Sequence, residues 1–146
     1  MAEKSSNPGF SAEEKAAMKA YAAELKAQAK AKDKRDAGTK MVREAIEKLD
    51  GDDRKLAERF FELVSEHAPA LVPKTYYGMP GFANADDKML VFFQPASKFK
   101  VRYSTIGFEQ VANLGDSAYT PSSWRITEWT PAAEKEFLAT LARAIS

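Results

Sequence analysis

The sequence predicts an α+β domain: an antiparallel sheet with helices packed on one face, a helical N-terminal region and a C-terminal helix. Three observations carry this reading. Apolar residues recur at helical spacing as far as Pro69, the period changes to two after Thr75, and Thr130-Pro131 opens a last amphipathic stretch. At 146 residues, 45% hydrophobic and 29% charged, the chain has material for one core.

Residues 1–10 read as a flexible lead-in. Ser11 and Glu14 form a Ser-x-x-Glu capping box, and Met18, Tyr21, Ala22, Leu25 and Ala29 make a narrow apolar stripe. A helix with so little to bury is expected to be peripheral or docked on a partner subunit. Lys26, Lys30, Lys32, Lys34 and Arg35 follow, ending at Gly38. Asp33 and Asp36 dilute that charge and no aromatic residue is interleaved for base stacking, so it reads as a solvated helix end running into a linker rather than a nucleic-acid arm. Residues 11–38 are therefore taken as a peripheral helix and basic linker, and residues 39–146 as the α+β domain.

Within that domain a second helix spans about Thr39 to Leu49, broken by Asp50-Gly51. In a third, Asp52 and Asp53 sit near the positive end of the helix dipole, Leu56, Phe60, Leu63, Val64 and His67 share a face, and Pro69 stops the helix. Lys88–Gln94 and Lys98–Ser104 flank Pro95-Ala96-Ser97, which predicts a hairpin with a three-residue loop. Its register places Phe93 opposite Phe99, Val91 opposite Val101 and Met89 opposite Tyr103, all facing the helices. Leu90, Phe92 and Gln94 then lie opposite Arg102, Lys100 and Lys98 on the other face. Tyr76–Ala83, interrupted by Pro80, reads as an edge strand or bulge, and Trp124–Trp129 as a further strand. Thr130 caps the last helix, with Pro131 at its first position.

The central stretch resembles the YdhG-like family of small bacterial α+β proteins. The resemblance is carried by Tyr77-Gly78-Met79-Pro80 with Phe82, by Lys88 leading into Leu90-Val91-Phe92-Phe93, and by Lys98. It implies an antiparallel sheet covered by helices. Some members are described as frataxin-like intracellular iron chaperones, which makes iron handling an alternative expectation here. The resemblance places no catalytic residue.

Composition narrows the chemistry further. A net charge of +1 provides no global field, and the absence of cysteine removes disulfides, thiolate nucleophiles and cysteine-ligated zinc. With no apolar signal segment and no run approaching about 18 apolar residues, the expected location is cytoplasmic, with no membrane partner. No phosphate loop, Gly-x-Ser-x-Gly or His-Glu-x-x-His occurs, and the one histidine, His67, reads as a packed or helix-capping residue. No nucleophile–base pair is present, so the reading leans away from an enzyme. Any metal must use oxygen ligands. Glu58, Glu62 and Glu66, at four-residue spacing, are the candidates for iron, whereas Asn84-x-Asp86-Asp87 lacks the rest of a calcium loop and reads as a turn. The sharper expectation is a non-enzymatic ligand-binding face. Tyr77, Met79 and Phe92 supply its apolar floor and Lys98, Lys100 and Arg102 its cations, suited to a small anionic or aromatic ligand. Apolar side chains on such a face need a cover, so a homodimer burying that face or the first helix is the remaining alternative.

Overall fold

A computed structural model describes residues 11–146; the lead-in expected over residues 1–10 lies outside the described residues. The chain divides into two compact units, one ending at Asp36 and the other spanning Ala37–Ser146, and helix α1 (Ala12–Glu47) crosses that division. In the first unit the capping box forms. The Glu14 amide donates to Ser11 Oγ and the Ser11 amide to Glu14 Oε1, each at 3.1 Å. Met18, Tyr21 and Leu25 are exposed.

The second unit contains the last turns of α1, then α2 (Gly51–His67), β1 (Val72–Pro73), β2 (Gly81–Ala83), β3 (Met89–Gln94), the single turn α3 (Ala96–Phe99), β4 (Ser104–Phe108), β5 (Ser123–Ile126) and α4 (Pro131–Ala144). The five strands form one antiparallel sheet in chain order. Its helix-facing side is aromatic. Phe60 of α2 is fully buried, with ring centroids 5.8 Å from Phe82, 5.9 Å from Phe93 and 6.0 Å from Phe137 of α4. That four-ring cluster joins both helices to the sheet, and burying each such side chain is worth about 1.5–3 kcal/mol. Arg59 clamps the two helices outside it, donating through Nε and Nη2 to the two carboxylate oxygens of Glu134 at 2.8 Å each.

Three sequence expectations are corrected. The helix break at Gly38 is absent, because α1 continues to Glu47. Gly38 is there for proximity: a Cβ at this position would overlap the Pro73 carbonyl oxygen.

The hairpin through Pro95-Ala96-Ser97 is absent too. Ala96–Phe99 is a helical turn, ended by Lys100 in the left-handed region at φ 53°, and the partner strand begins only at Ser104. Phe93 therefore lies opposite Ile106, Phe92 opposite Gly107 and Val91 opposite Phe108. The cause is a tertiary anchor. Asp53, in the first turn of α2, accepts from the Ser97 amide (3.0 Å) and hydroxyl and from Ser104 Oγ (3.2 Å), while Ser104 Oγ accepts from the Ala96 amide (3.0 Å). These groups hold the amides that open α3. Val101 and Tyr103, assigned inward by alternation, are 47% and 41% exposed, and Lys100 is exposed beside them.

The third correction concerns Leu90. Phe82 lies opposite Val91 but Ala83 lies opposite Met89, so Leu90 is the extra residue of a bulge and joins the buried core. It does not share an outer face with Phe92.

Candidate functional site

The residues expected to form the basic-aromatic face are divided among three places. Tyr77 is at the tip of a tight turn in which the Tyr76 and Met79 amides donate to each other's carbonyls at 2.8 and 2.9 Å. Tyr77 and Gly78 have φ of 50° and 80°, the left-handed pair that a type I′ turn demands. Tyr77 is 82% exposed, while Met79 points into the fold and is buried. Phe92 is half-buried on the sheet face away from the helices, 5.2 Å from the Tyr76 ring. Lys98 reaches the same turn and donates to the Gly78 carbonyl at 3.0 Å. Tyr77, Phe92 and Lys98 thus gather around one turn. Arg102 instead lines a shallow groove of about 460 Å³ with Gln94 and Thr105, and Lys100 caps α3. The row of three cations beside an apolar floor is not assembled, because the segment carrying them is not a strand.

Beside this turn, Tyr76 Oη donates to Glu109 Oε2 at 2.6 Å. Hydrogen bonding to that carboxylate, with burial and its negative charge, pushes the Tyr76 phenol up to about 12. Asp53 shifts the other way. Burial alone would raise its carboxyl, but the hydrogen bonds from Ser97 and Ser104 outweigh burial and hold it below its ordinary value.

The glutamate row lies along a cleft between the last turns of α1 and α2, together with Arg43, Arg54 and Glu47. Two of its members are engaged by cations, and the three are not collected around a point. Arg54 pairs with Glu58 at 3.4 Å and Arg59 with Glu62 at 3.1 Å; Glu66 is exposed. Among the described residues no group of three or more His, Cys, Asp or Glu side chains is placed to hold a metal ion. The Glu58, Glu62 and Glu66 arrangement therefore does not fit an iron site. His67 is exposed in the last turn of α2, close enough to Glu134 to favour that carboxylate's charge. Asn84 forms a turn, its Oδ1 accepting from the Asp86 and Lys88 amides at 3.0 Å.

The best-formed concavity lies elsewhere, between the edge strand β5 and helix α4. It encloses about 500 Å³, within the range of small-molecule sites. The fold builds its wall in steps. Antiparallel pairing sets Trp124 opposite Ile106, on the helix-facing side. There the Trp124 ring meets Phe108 edge-on, centroids 5.7 Å apart at 86°. Thr130 caps α4 by accepting from the Ala133 amide at 3.1 Å, and helical spacing then brings Ala133, Phe137, Thr140 and Arg143 to the cleft. Phe137 packs on Trp129 at 5.4 Å, and the Trp129 indole donates to the Leu56 carbonyl at 3.0 Å. Trp129 is thereby a fixed wall, whereas Trp124 is 37% exposed with its indole N–H uncommitted among the described residues. Arg143 lines the cleft and forms no ion pair among the described residues; Glu128 and Glu136 line it as well. The strand around Trp124 and the helix carrying Phe137 are both legible in the sequence. That they face each other across a cleft is a tertiary fact without a local signal.

Fold and cleft together define a helix-covered, antiparallel α+β domain with an aromatic recess at one sheet edge. Searches of protein-family models, of curated proteins and of solved structures find no match to this chain. Among the described residues no helix is long and apolar enough to cross a membrane.

Proposed function

We propose that this protein is a small-ligand binding domain whose site is the β5–α4 cleft, taking a flat aromatic molecule that bears an acidic group. The observation that carries this is the pairing of a part-exposed Trp124 with Arg143, which forms no ion pair among the described residues, in a recess of about 500 Å³. A ring lying on Trp124 and Phe137 releases water from apolar surface, and a guanidinium is suited to hold a carboxylate or sulfonate by paired hydrogen bonds. This keeps the ligand class read from the sequence and moves the site from the Phe92–Lys100 face to the opposite side of the sheet. The carboxylate reading carries less, since Glu58 and Glu62 are already matched by arginines.

Trp124 and Trp129, the two tryptophans of the chain, both line the cleft, so intrinsic fluorescence reports on it directly. Titration with 8-anilinonaphthalene-1-sulfonate is expected to quench that emission saturably, with Arg143→Ala weakening the probe about tenfold, the loss of one charge-assisted contact. Saturable binding that Arg143→Ala and Trp124→Ala both leave unchanged overturns the assignment, as does the absence of binding at millimolar probe.

A further inference from the structure

β5 is an outer strand of the sheet, and its outward edge is open. The Phe108 amide donates to the Ser122 carbonyl at 2.8 Å, which fixes the hydrogen-bonding phase of the β4–β5 ladder. Ser122, Trp124 and Ile126 turn their backbone groups toward β4, and Ser123 and Arg125 turn theirs away. Among the described residues no backbone hydrogen bond engages that outward edge. The other outer strand, β1, is two residues long and carries Pro73, a device that blunts an edge. β5 has no proline, and Arg125, opposite Thr105, projects from the sheet face rather than along the edge.

We propose that β5 is a self-association surface on which a second copy of this chain adds its own β5, antiparallel, to continue the sheet. The phase of the ladder limits the register. Only Ser123 and Arg125 offer outward donors and acceptors, so a two-fold axis falls at Ser123, at Trp124 or at Arg125. An axis at Ser123 pairs Ser123 with its copy and sets Arg125 opposite Pro121, which has no N–H to donate, so only one hydrogen-bonded pair forms. An axis at Arg125 sets two guanidinium side chains directly opposite each other, which is destabilising. An axis at Trp124 pairs Ser123 of each copy with Arg125 of the other through two hydrogen bonds. It brings the two Trp124 side chains together on the helix-facing side as a close, non-hydrogen-bonded aromatic pair. The strand is its own complement in that register: cation meets hydroxyl and indole meets indole. This favours a second copy over an unrelated extended peptide as the occupant.

Sedimentation equilibrium tests the proposal. The full chain is expected to show a reversible monomer–dimer equilibrium, and Arg125→Pro, which deletes one outward N–H without touching the β4 ladder, is expected to be monomeric at every concentration used. Arg125 also lines the β5–α4 cleft, so the two readings are separated on the wild-type chain: its association state bears on this proposal alone, and its saturable binding of 8-anilinonaphthalene-1-sulfonate bears on the cleft reading alone. A second measurement does not depend on the folding of the proline variant. The chain has no cysteine, so a lone Trp124→Cys sits about 4.5 Å, Cα to Cα, from its copy, within disulfide reach. It is expected to oxidise to a covalent dimer at least tenfold faster than Lys135→Cys, on exposed α4 surface outside the cleft. A wild-type chain monomeric throughout, or equal oxidation rates for the two cysteine variants, overturns the proposal. An Arg125→Pro dimer as strong as wild type overturns it as well.

Discussion

The far end of the Phe92 ring occupies the space that a Cβ on Gly107 would need. The two residues lie opposite each other on β3 and β4, on the sheet face away from the helices, and a side chain at position 107 would overlap the ring tip. Phe92 is held from its other side by Tyr76 at 5.2 Å, so its ring cannot simply swing clear. Gly107→Ala is therefore expected to cost about 1–3 kcal/mol, the usual range for forcing an extra methyl into a packed site. Shortening the ring should recover most of that. In urea unfolding, Phe92→Leu with Gly107→Ala is expected to lose less than the sum of the two single variants. Strict additivity would show that the ring does not rest on Gly107 in solution.

Gly38 gives a prediction of opposite sign to the usual rule. Replacing a helix-interior glycine by alanine ordinarily stabilises by about 1 kcal/mol, because alanine loses less freedom on folding. Here the new methyl would meet the Pro73 carbonyl oxygen, a backbone atom held in β1. Relief requires moving α1 away from the sheet edge, against the packing of Val42 and Ile46, both buried. Gly38→Ala is expected to lower the thermal midpoint, by a destabilisation of about 1–3 kcal/mol. A raised midpoint would mean that α1 does not approach Pro73 this closely.

These glycines also mark where sequence reasoning succeeds and where it stops. Periodicity locates α2 and α4, and the Thr130-Pro131 pair places the start of α4, because caps and amphipathic stripes are local. The sheet and its helix-facing Val91 and Phe93 are legible from alternation. The partner of β3 is not. Lys98–Ser104 alternates well enough to read as a strand, yet its first residues are drawn into a helical turn by Asp53, 44 positions from Ser97 in the sequence. That displacement moved the expected cationic row off the sheet and separated Lys100 and Arg102 from Phe92. Gly38 read as a helix stop because glycine's conformational freedom and its lack of bulk look identical in a sequence. The cleft depends on β5 meeting α4, a juxtaposition no spacing encodes.

The Tyr76–Glu109 pair makes the alkaline limb of stability readable. Tyr76 donates its phenol proton to Glu109 Oε2, and this hydrogen bond, with burial and the adjacent negative charge, raises its ionisation from 10 to about 12. The folded state thus holds that proton more tightly than the unfolded chain does. The stabilisation is fully present below pH 10 and is lost as pH rises through about 12. Glu109→Gln replaces the charged acceptor by a neutral one, so Tyr76 is expected to ionise closer to 10 and the loss of stability between pH 10 and 12 to flatten. Phenolate absorbance in the native protein, compared with Tyr76→Phe, follows the ionisation, and urea unfolding across the same pH interval follows the stability. Should Tyr76 ionise near 10 in the native protein, the bond to Glu109 is not maintained in water.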